Sequence, residues 1–118
     1  MITGWNPDLF QYLGDVYENG SFQEFTDWYD PFWGQLRGVS DPTIGNHEYQ
    51  IDSAASGYAW YWNHQPTYYS YDSSGWHFIS LNGNHTKIDD TAQMNWLSQD
   101  LAAHAGGCII AYWHQPGP

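Results

Sequence analysis

The chain has almost no positive charge. Arg37 and Lys87 are its only basic residues among 118, against thirteen acids, and the formal net charge is −11. Such a surface neutralises few phosphates, so counterion release gives it little hold on DNA or RNA. Anionic membrane surfaces are disfavoured on the same ground. There is one cysteine, Cys108, which excludes an internal disulfide and a zinc site built from several thiolates. It opens the apolar run CIIAYW, where a buried, inert thiol is expected. No run approaches the ~20 apolar residues of a membrane span, and no basic-then-apolar signal stands before the first apolar run.

What the chain has is aromatic bulk and acid. Eight Trp and ten Tyr sit within a 42% hydrophobic composition, which suits one modest domain with a core rather than a disordered segment. The surplus of carboxylates leaves some free to serve hard or borderline cations.

Along the chain, LFQYL (9–13) reads as a short strand that stops at Gly14-Asp15. Ser21 with Glu24 three residues on forms a capping box, and Phe22, Phe25, Trp28 and Tyr29 then share a helical face before Pro31. PTIG (42–45) predicts a second strand. Residues 50–67 carry no clear period and predict a long, ordered surface loop. YYSYDSSGWHFISLN predicts a hairpin about Asp72-Ser73-Ser74-Gly75. Asp90 and Gln93 open a helix carrying Met94, Leu97 and Leu101 at helical spacing, which Gly106-Gly107 closes. CIIAYW is the last strand, ending at His114-Gln115 before prolines that bar its continuation. The order predicts a mixed-sheet α/β layer packed by two helices.

Asp15, Asn46 and His114 each follow an apolar run, and the carboxyl edge of an open α/β sheet is where loops converge on ligands. Asn46, His47 and Glu48 place an amide oxygen, a ring nitrogen and a carboxylate side by side, all able to meet a cation or an anionic substrate. Three ligand-competent residues at three strand ends form a constellation.

The same residues carry a family likeness. GD (14–15), GNHE (45–48) and the strand-end histidine of AYWH (111–114) resemble, in order, the calcineurin-like metallophosphoesterases. YENGSFQEF, YYSYDSSGWHFISLN and QMNWLSQDLAAH also resemble the bacterial, secreted branch near the purple acid phosphatases. The resemblance implies that residues 1–118 form one partial catalytic domain, part of a four-layer α/β/β/α sandwich with a mixed sheet. It implies secretion or a periplasmic location, and a small phosphate ester as substrate. Asp15 would bridge two metal ions (Fe, Zn or Mn), and Asn46 and His114 would ligate one of them. His47 would face the substrate phosphate, with Asn46 beside it, and protonate the leaving oxygen; Glu48 would orient His47. Such chemistry must neutralise spreading charge and make a nucleophile from water. In a chain with two basic residues, that positive charge would come from the metals.

Two departures stand out. The tyrosine that binds iron in the purple acid phosphatase branch follows the GD aspartate by three places, where this chain has Glu18; its tyrosine is one place earlier, Tyr17. A one-residue shift in an extended loop turns that side chain to the other side, which counts against Tyr17 as a metal ligand. The family's first aspartate strand and its last motif, GHxH, are also not among these residues. The resemblance thus implies a central piece lacking the N- and C-terminal strands.

Other histidines have plainer readings. His77 is expected as a packed strand residue, and His104 as a helix-ending imidazole suited to the helix dipole. His64 and His85 are expected in loops near the site edge, within possible reach of substrate. The aromatic run GYAWYWN (57–63) is expected to cover a sheet face or wall a cleft. Its alternative, a carbohydrate-stacking platform, would make the chain a secreted binding module with a non-functional metal site.

Overall fold

A computed structural model describes Gly4 and residues 6–116. Among the described residues, five short strands form two small sheets. β1 (Phe10–Tyr12) lies parallel to β2 (Ser40–Pro42), in register Phe10↔Ser40. β3 (Tyr69–Ser73) pairs antiparallel with β4 (Trp76–Ser80), and β4 pairs parallel with β5 (Cys108–Tyr112). The architecture is mixed α/β, as expected. The predicted hairpin forms, its corner made by Ser74 (φ 51°) and Gly75 (φ 81°). Two successive positive φ values are the turn that matches strand twist.

Beyond the strand ends the two sheets remain connected. Thr43 N–H donates to Tyr12 O at 2.7 Å, Leu81 N–H to Tyr112 O at 3.0 Å, and Thr43 Oγ1 to Leu81 O at 3.1 Å. The carboxyl ends of β1, β2, β4 and β5 are thereby gathered in one place. The second strand lies two residues upstream of PTIG: only Pro42 belongs to it, and Thr43–Gly45 run on buried.

Between β1 and β2 the chain is helical. Ser21 Oγ accepts from Glu24 N–H at 3.1 Å while Glu24 Oε2 accepts from Ser21 N–H at 2.9 Å, completing the capping box that starts α1 (Phe22–Glu24). The helix does not stop at Pro31, contrary to expectation. A π turn (Phe25–Tyr29) leads into α2 (Asp30–Trp33), which carries Pro31 in its first turn, where the missing N–H costs little. Phe25 and Tyr29 are buried as the helical pattern predicts, but Phe22 and Trp28 face solvent.

The predicted loop over 50–67 contains a helix, α3 (Ser56–Tyr61), packed against α1 and the π turn. Tyr58, Tyr61 and Trp62 complete an aromatic core with Tyr12, Phe25, Tyr29 and Tyr49. Phe25 and Tyr61 stack with centroids 4.9 Å apart, while Tyr12 and Tyr29 meet edge to face, both favourable quadrupole arrangements. Of the GYAWYWN aromatics, Trp60 alone is exposed, at 65%.

α4 (Asp90–Ala103), capped by Asp89, departs from its predicted amphipathic pattern. Its buried residue is Gln93, whose amide accepts from Asn82 N–H at 2.8 Å and donates to Asn82 O at 3.1 Å. Met94 and Leu101 are exposed. β5 is an edge strand in the order β3-β4-β5, and Cys108 is exposed at its start rather than buried. An edge strand has no neighbour to cover it on one side, which a run of apolar letters cannot reveal. Among the described residues, no helix is long and apolar enough to cross a membrane.

Candidate functional site

β1 is followed, after Leu13, by Gly14 (φ 79°) and Asp15 (φ 52°). A Cβ on Gly14 would stand 2.5 Å from the amide nitrogen of Gly45, and a Cβ on Gly45 would overlap the Asp15 carboxylate. The GD and GN turns thus pass each other backbone against backbone, which only glycine permits. Asp15 itself sits in the left-handed region, which non-glycine residues occupy at a cost and which is concentrated at functional sites.

Glu48 holds this crossing together. It is 1% exposed and accepts from Tyr12 Oη–H at 2.6 Å, Asp15 N–H at 3.0 Å and Gly45 N–H at 2.8 Å. Burial raises its pKa against the lowering effect of those three donors. The sequence reading placed Glu48 behind His47. In the structure it lies beneath Asp15 and Gly45, fixing both turns through their backbones.

Asp15 is the meeting point. Its Oδ1 accepts from His47 N–H at 2.8 Å. Its Oδ2 lies 2.9 Å from His114 Nε2 and 3.8 Å from His47 Nε2. Both imidazoles are anchored from behind on their other nitrogen: His114 Nδ1 bonds Leu13 O at 2.6 Å, and His47 Nδ1 bonds Glu18 O at 2.6 Å. A carbonyl can only accept, so each Nδ1 carries hydrogen and each Nε2 is turned to the carboxylate. The Glu18 carbonyl is the main cause raising the His47 pKa; Asp15, Glu18 and Glu48 add to it, against partial desolvation.

Asn46 opens the 3₁₀ turn His47–Tyr49, yet its side chain does not cap that turn. The amide is therefore not engaged in the role its position would ordinarily give it. Behind it, Asn84 Nδ2 donates to Gly45 O at 3.2 Å and is itself placed by Asn82. No sequence signal singled out these two asparagines.

Asp15, His47 and His114 thus come together, with Asn46 adjoining His47. Tyr17 does not join them: its ring packs against the aromatic core, where burial and then Glu24 raise its pKa. His64 (φ 58°) lies edge-on to Trp60. His85 pairs with Asp90 at 3.0 Å, at a cavity shared with Gln93 and Trp113. Among the described residues, neither makes a hydrogen bond or ion pair with Asp15, His47 or His114.

The residue types suit a borderline divalent cation: a carboxylate oxygen of Asp15, the His114 Nε2 2.9 Å from it, and the amide of Asn46, next in sequence to His47. The Leu13 carbonyl behind His114 is the kind of outer support that a metal-ligating histidine needs. No protein-family model matches the chain, and no curated protein matches it significantly.

Proposed function

We propose that the chain carries part of the dinuclear centre of a calcineurin-like metallophosphoesterase and serves metal-dependent hydrolysis of small phosphate esters. The observation that supports this is the convergence of Asp15, His47 and His114 beyond the carboxyl ends of β1, β2 and β5, with His114 Nε2 2.9 Å and His47 Nε2 3.8 Å from one carboxylate oxygen. In this reading the two small sheets belong to an α/β/β/α sandwich, and the protein works outside the cytoplasm.

Asp15, Asn46 and His114 would hold metal (Fe, Zn or Mn). Bound there, the ions would supply Lewis acidity, neutralising phosphoryl oxygens and making a nucleophile from water at moderate pH. His47 has its Nδ1 fixed by the Glu18 carbonyl, which leaves its Nε2 turned toward Asp15. It is therefore placed to donate to the leaving oxygen as the ester bond breaks. Glu48 touches no substrate in this scheme. It is a positioning residue, holding the Asp15 and Gly45 amides so that the carboxylate and His47 keep their spacing.

The test is a titration of chelator-treated protein with Mn(II) or Zn(II), followed by the imidazole NMR resonances and by hydrolysis of an aryl phosphate. The His47 and His114 resonances should shift together, and Asp15→Asn should abolish that shift. Hydrolysis should require metal and fall at least about a hundredfold in His47→Ala, the usual scale for a general acid. Hydrolysis by the chelated protein without metal, or resonances of His47 and His114 indifferent to metal, would overturn the proposal.

A further inference from the structure

At the opposite edge of the three-stranded sheet lies a second group of ligand-type side chains. His77, on β4, is 6% exposed. Its Nδ1 faces Asp72 Oδ1 across the hairpin at 2.8 Å, and its Nε2 meets Asp100 Oδ2, from α4, at 2.7 Å. His104, at the end of α4, lies over it ring on ring, with centroids 3.5 Å apart and planes 14° from parallel. One ligand atom each from Asp72, His77 and His104 fall within 4.8 Å of one another. They open onto a cavity of about 400 Å³, also lined by Trp76 and Cys108.

We propose that Asp72, His77 and His104 form a second, independent binding site for a borderline divalent transition metal such as Zn(II) or Ni(II). The hydrogen bonds behind the ligands support this more than the cluster itself. His77 Nε2 is held by the Asp100 carboxylate, which leaves Nδ1 as the nitrogen turned to Asp72. His104 Nδ1 bonds the Asp100 main-chain oxygen at 2.7 Å, which leaves its Nε2 free of that anchor. Asp100 therefore orients both imidazoles, one through its carboxylate and one through its backbone. Ser70 Oγ in turn donates to Asp100 Oδ1 at 2.8 Å. A carboxylate behind a histidine behind a metal is the recurring construction that fixes the ligating nitrogen and raises its basicity.

A purely structural role explains less. Tying α4 to the hairpin requires only His77 between two aspartates. The helix end accounts for the Nδ1 bond of His104 to the Asp100 carbonyl, but not for the placement of its ring over His77. A ligand set of two imidazoles and one carboxylate matches Zn(II) and its neighbours, with solvent completing the coordination. His77 is the fixed member. Asp72 is 71% exposed on the hairpin and His104 ends a helix, so both are free to turn toward the fixed ring. Coordination requires His104 to leave its stack, because near-parallel rings 3.5 Å apart cannot both aim an in-plane lone pair at one ion.

The test uses the 118-residue chain carrying Asp15→Asn and His114→Ala, which silences the other edge. After chelator treatment, calorimetric titration with zinc chloride should show one equivalent bound. His104→Ala and Asp72→Asn, both at exposed or half-exposed positions, should each weaken binding by about tenfold or more. Asp100→Asn should weaken it by a factor in the 10–100 range typical of a partner behind a ligand. Circular dichroism establishes that each variant is folded. Zinc binding that is absent from the silenced chain, or unchanged in both His104→Ala and Asp72→Asn, would overturn the proposal.

Discussion

Asp15 and His77 each sit at the centre of an aspartate–histidine cluster, but the two edges of the molecule hold them by different means. At the carboxyl edge the supports are backbone groups. Leu13 O and Glu18 O steady the two histidines, while the Asp15 and Gly45 amides rest on one buried carboxylate. At the amino edge they are largely side chains: Asp72, Asp100, Ser70 and a stacked imidazole. Backbone support comes with conformational strain, seen in the positive φ of Asp15. Side-chain support comes with charge, and so with sensitivity to pH. The carboxyl edge should therefore be the more damaged by substitution, and the amino edge the more responsive to protons.

The strongest way to break that contrast is Glu48→Ala. It strands three donors, two of them backbone amides, and at about 1–3 kcal/mol for each buried group left unpaired the loss should reach ~3 kcal/mol or more. Glu48→Gln should lose less, because it retains acceptor capacity and ends the burial of a carboxylate. Urea denaturation of both variants measures this. Near-wild-type stability in Glu48→Ala would mean that the carboxyl edge does not depend on its buried hub.

At the amino edge, His77→Leu fills the space but leaves Asp100 with Ser70 as its remaining partner. Hydrogen bonds to charged groups are worth about 1.5–3 kcal/mol, so we expect a loss near ~2 kcal/mol, with zinc binding at the Asp15 edge intact. A larger loss than in Glu48→Ala would reverse the ranking of the two edges.

The pH response sharpens the contrast further, in metal-free protein. Burial would lower the His77 pKa, but the hydrogen bonds to Asp100 and Asp72 outweigh it, and the net shift is upward from 6.5. Its stabilisation is complete below about pH 6.5 and is lost as pH rises through the raised folded value. Asp100 moves the other way: burial opposes, but His77 and Ser70 prevail and lower it from 3.8. Its contribution is complete above about pH 3.9 and is lost as pH falls through the depressed value. The difference in stability between the parent chain and His77→Leu should be widest from about pH 4 to 6.5 and shrink on both sides. Glu48 differs in shape. Its pKa is raised from 4.5, chiefly by burial, so its contribution is complete in acid and declines as pH rises through the folded value. A pH-independent gap between parent and His77→Leu would refute the clamp.

The smallest expected effect is Ser21→Ala, which removes one half of the capping box and should cost about 1 kcal/mol. Gly20, just before it, approaches the backbone of Glu48 so closely that a Cβ there would overlap Glu48 Cα. The substitution should therefore weaken metal binding at the Asp15 edge slightly and leave the His77 edge unchanged. Parallel zinc titrations of the two edges check this.

How much of this was legible depended on how local each signal was. The Ser21–Glu24 box and the Ser74-Gly75 turn are written in neighbouring letters, and they appear where expected, whereas the second strand ends at Pro42 rather than Gly45. α3 was not legible, because in 57–63 nearly every residue is aromatic or small, so no polar face marks a helical period. The exposure of Cys108 and of Met94 depends on which strand or helix lies alongside, which no local pattern encodes. The second cluster was half visible. A turn at Ser74-Gly75 implies that Asp72 faces His77, as the register shows, and Asp100 and His104 lie one helical turn apart. Only the packing of α4 on β4 joins those pairs.

The span of the contacts converging on Glu48 has a kinetic consequence. Its bonds to Tyr12 and Asp15 cross 36 and 33 residues of chain, enclosing the whole helical segment between β1 and β2. Closing so large a loop is entropically unfavourable until the ends are rewarded by contacts made together, which makes such segments slow to form and all-or-none in opening. The amides of Asp15 and Gly45 should then exchange with deuterium only through a concerted opening of the N-terminal half, at a common rate, although both lie in turns. Turn residues ordinarily exchange quickly and one by one. Here two of them would report the lifetime of the fold.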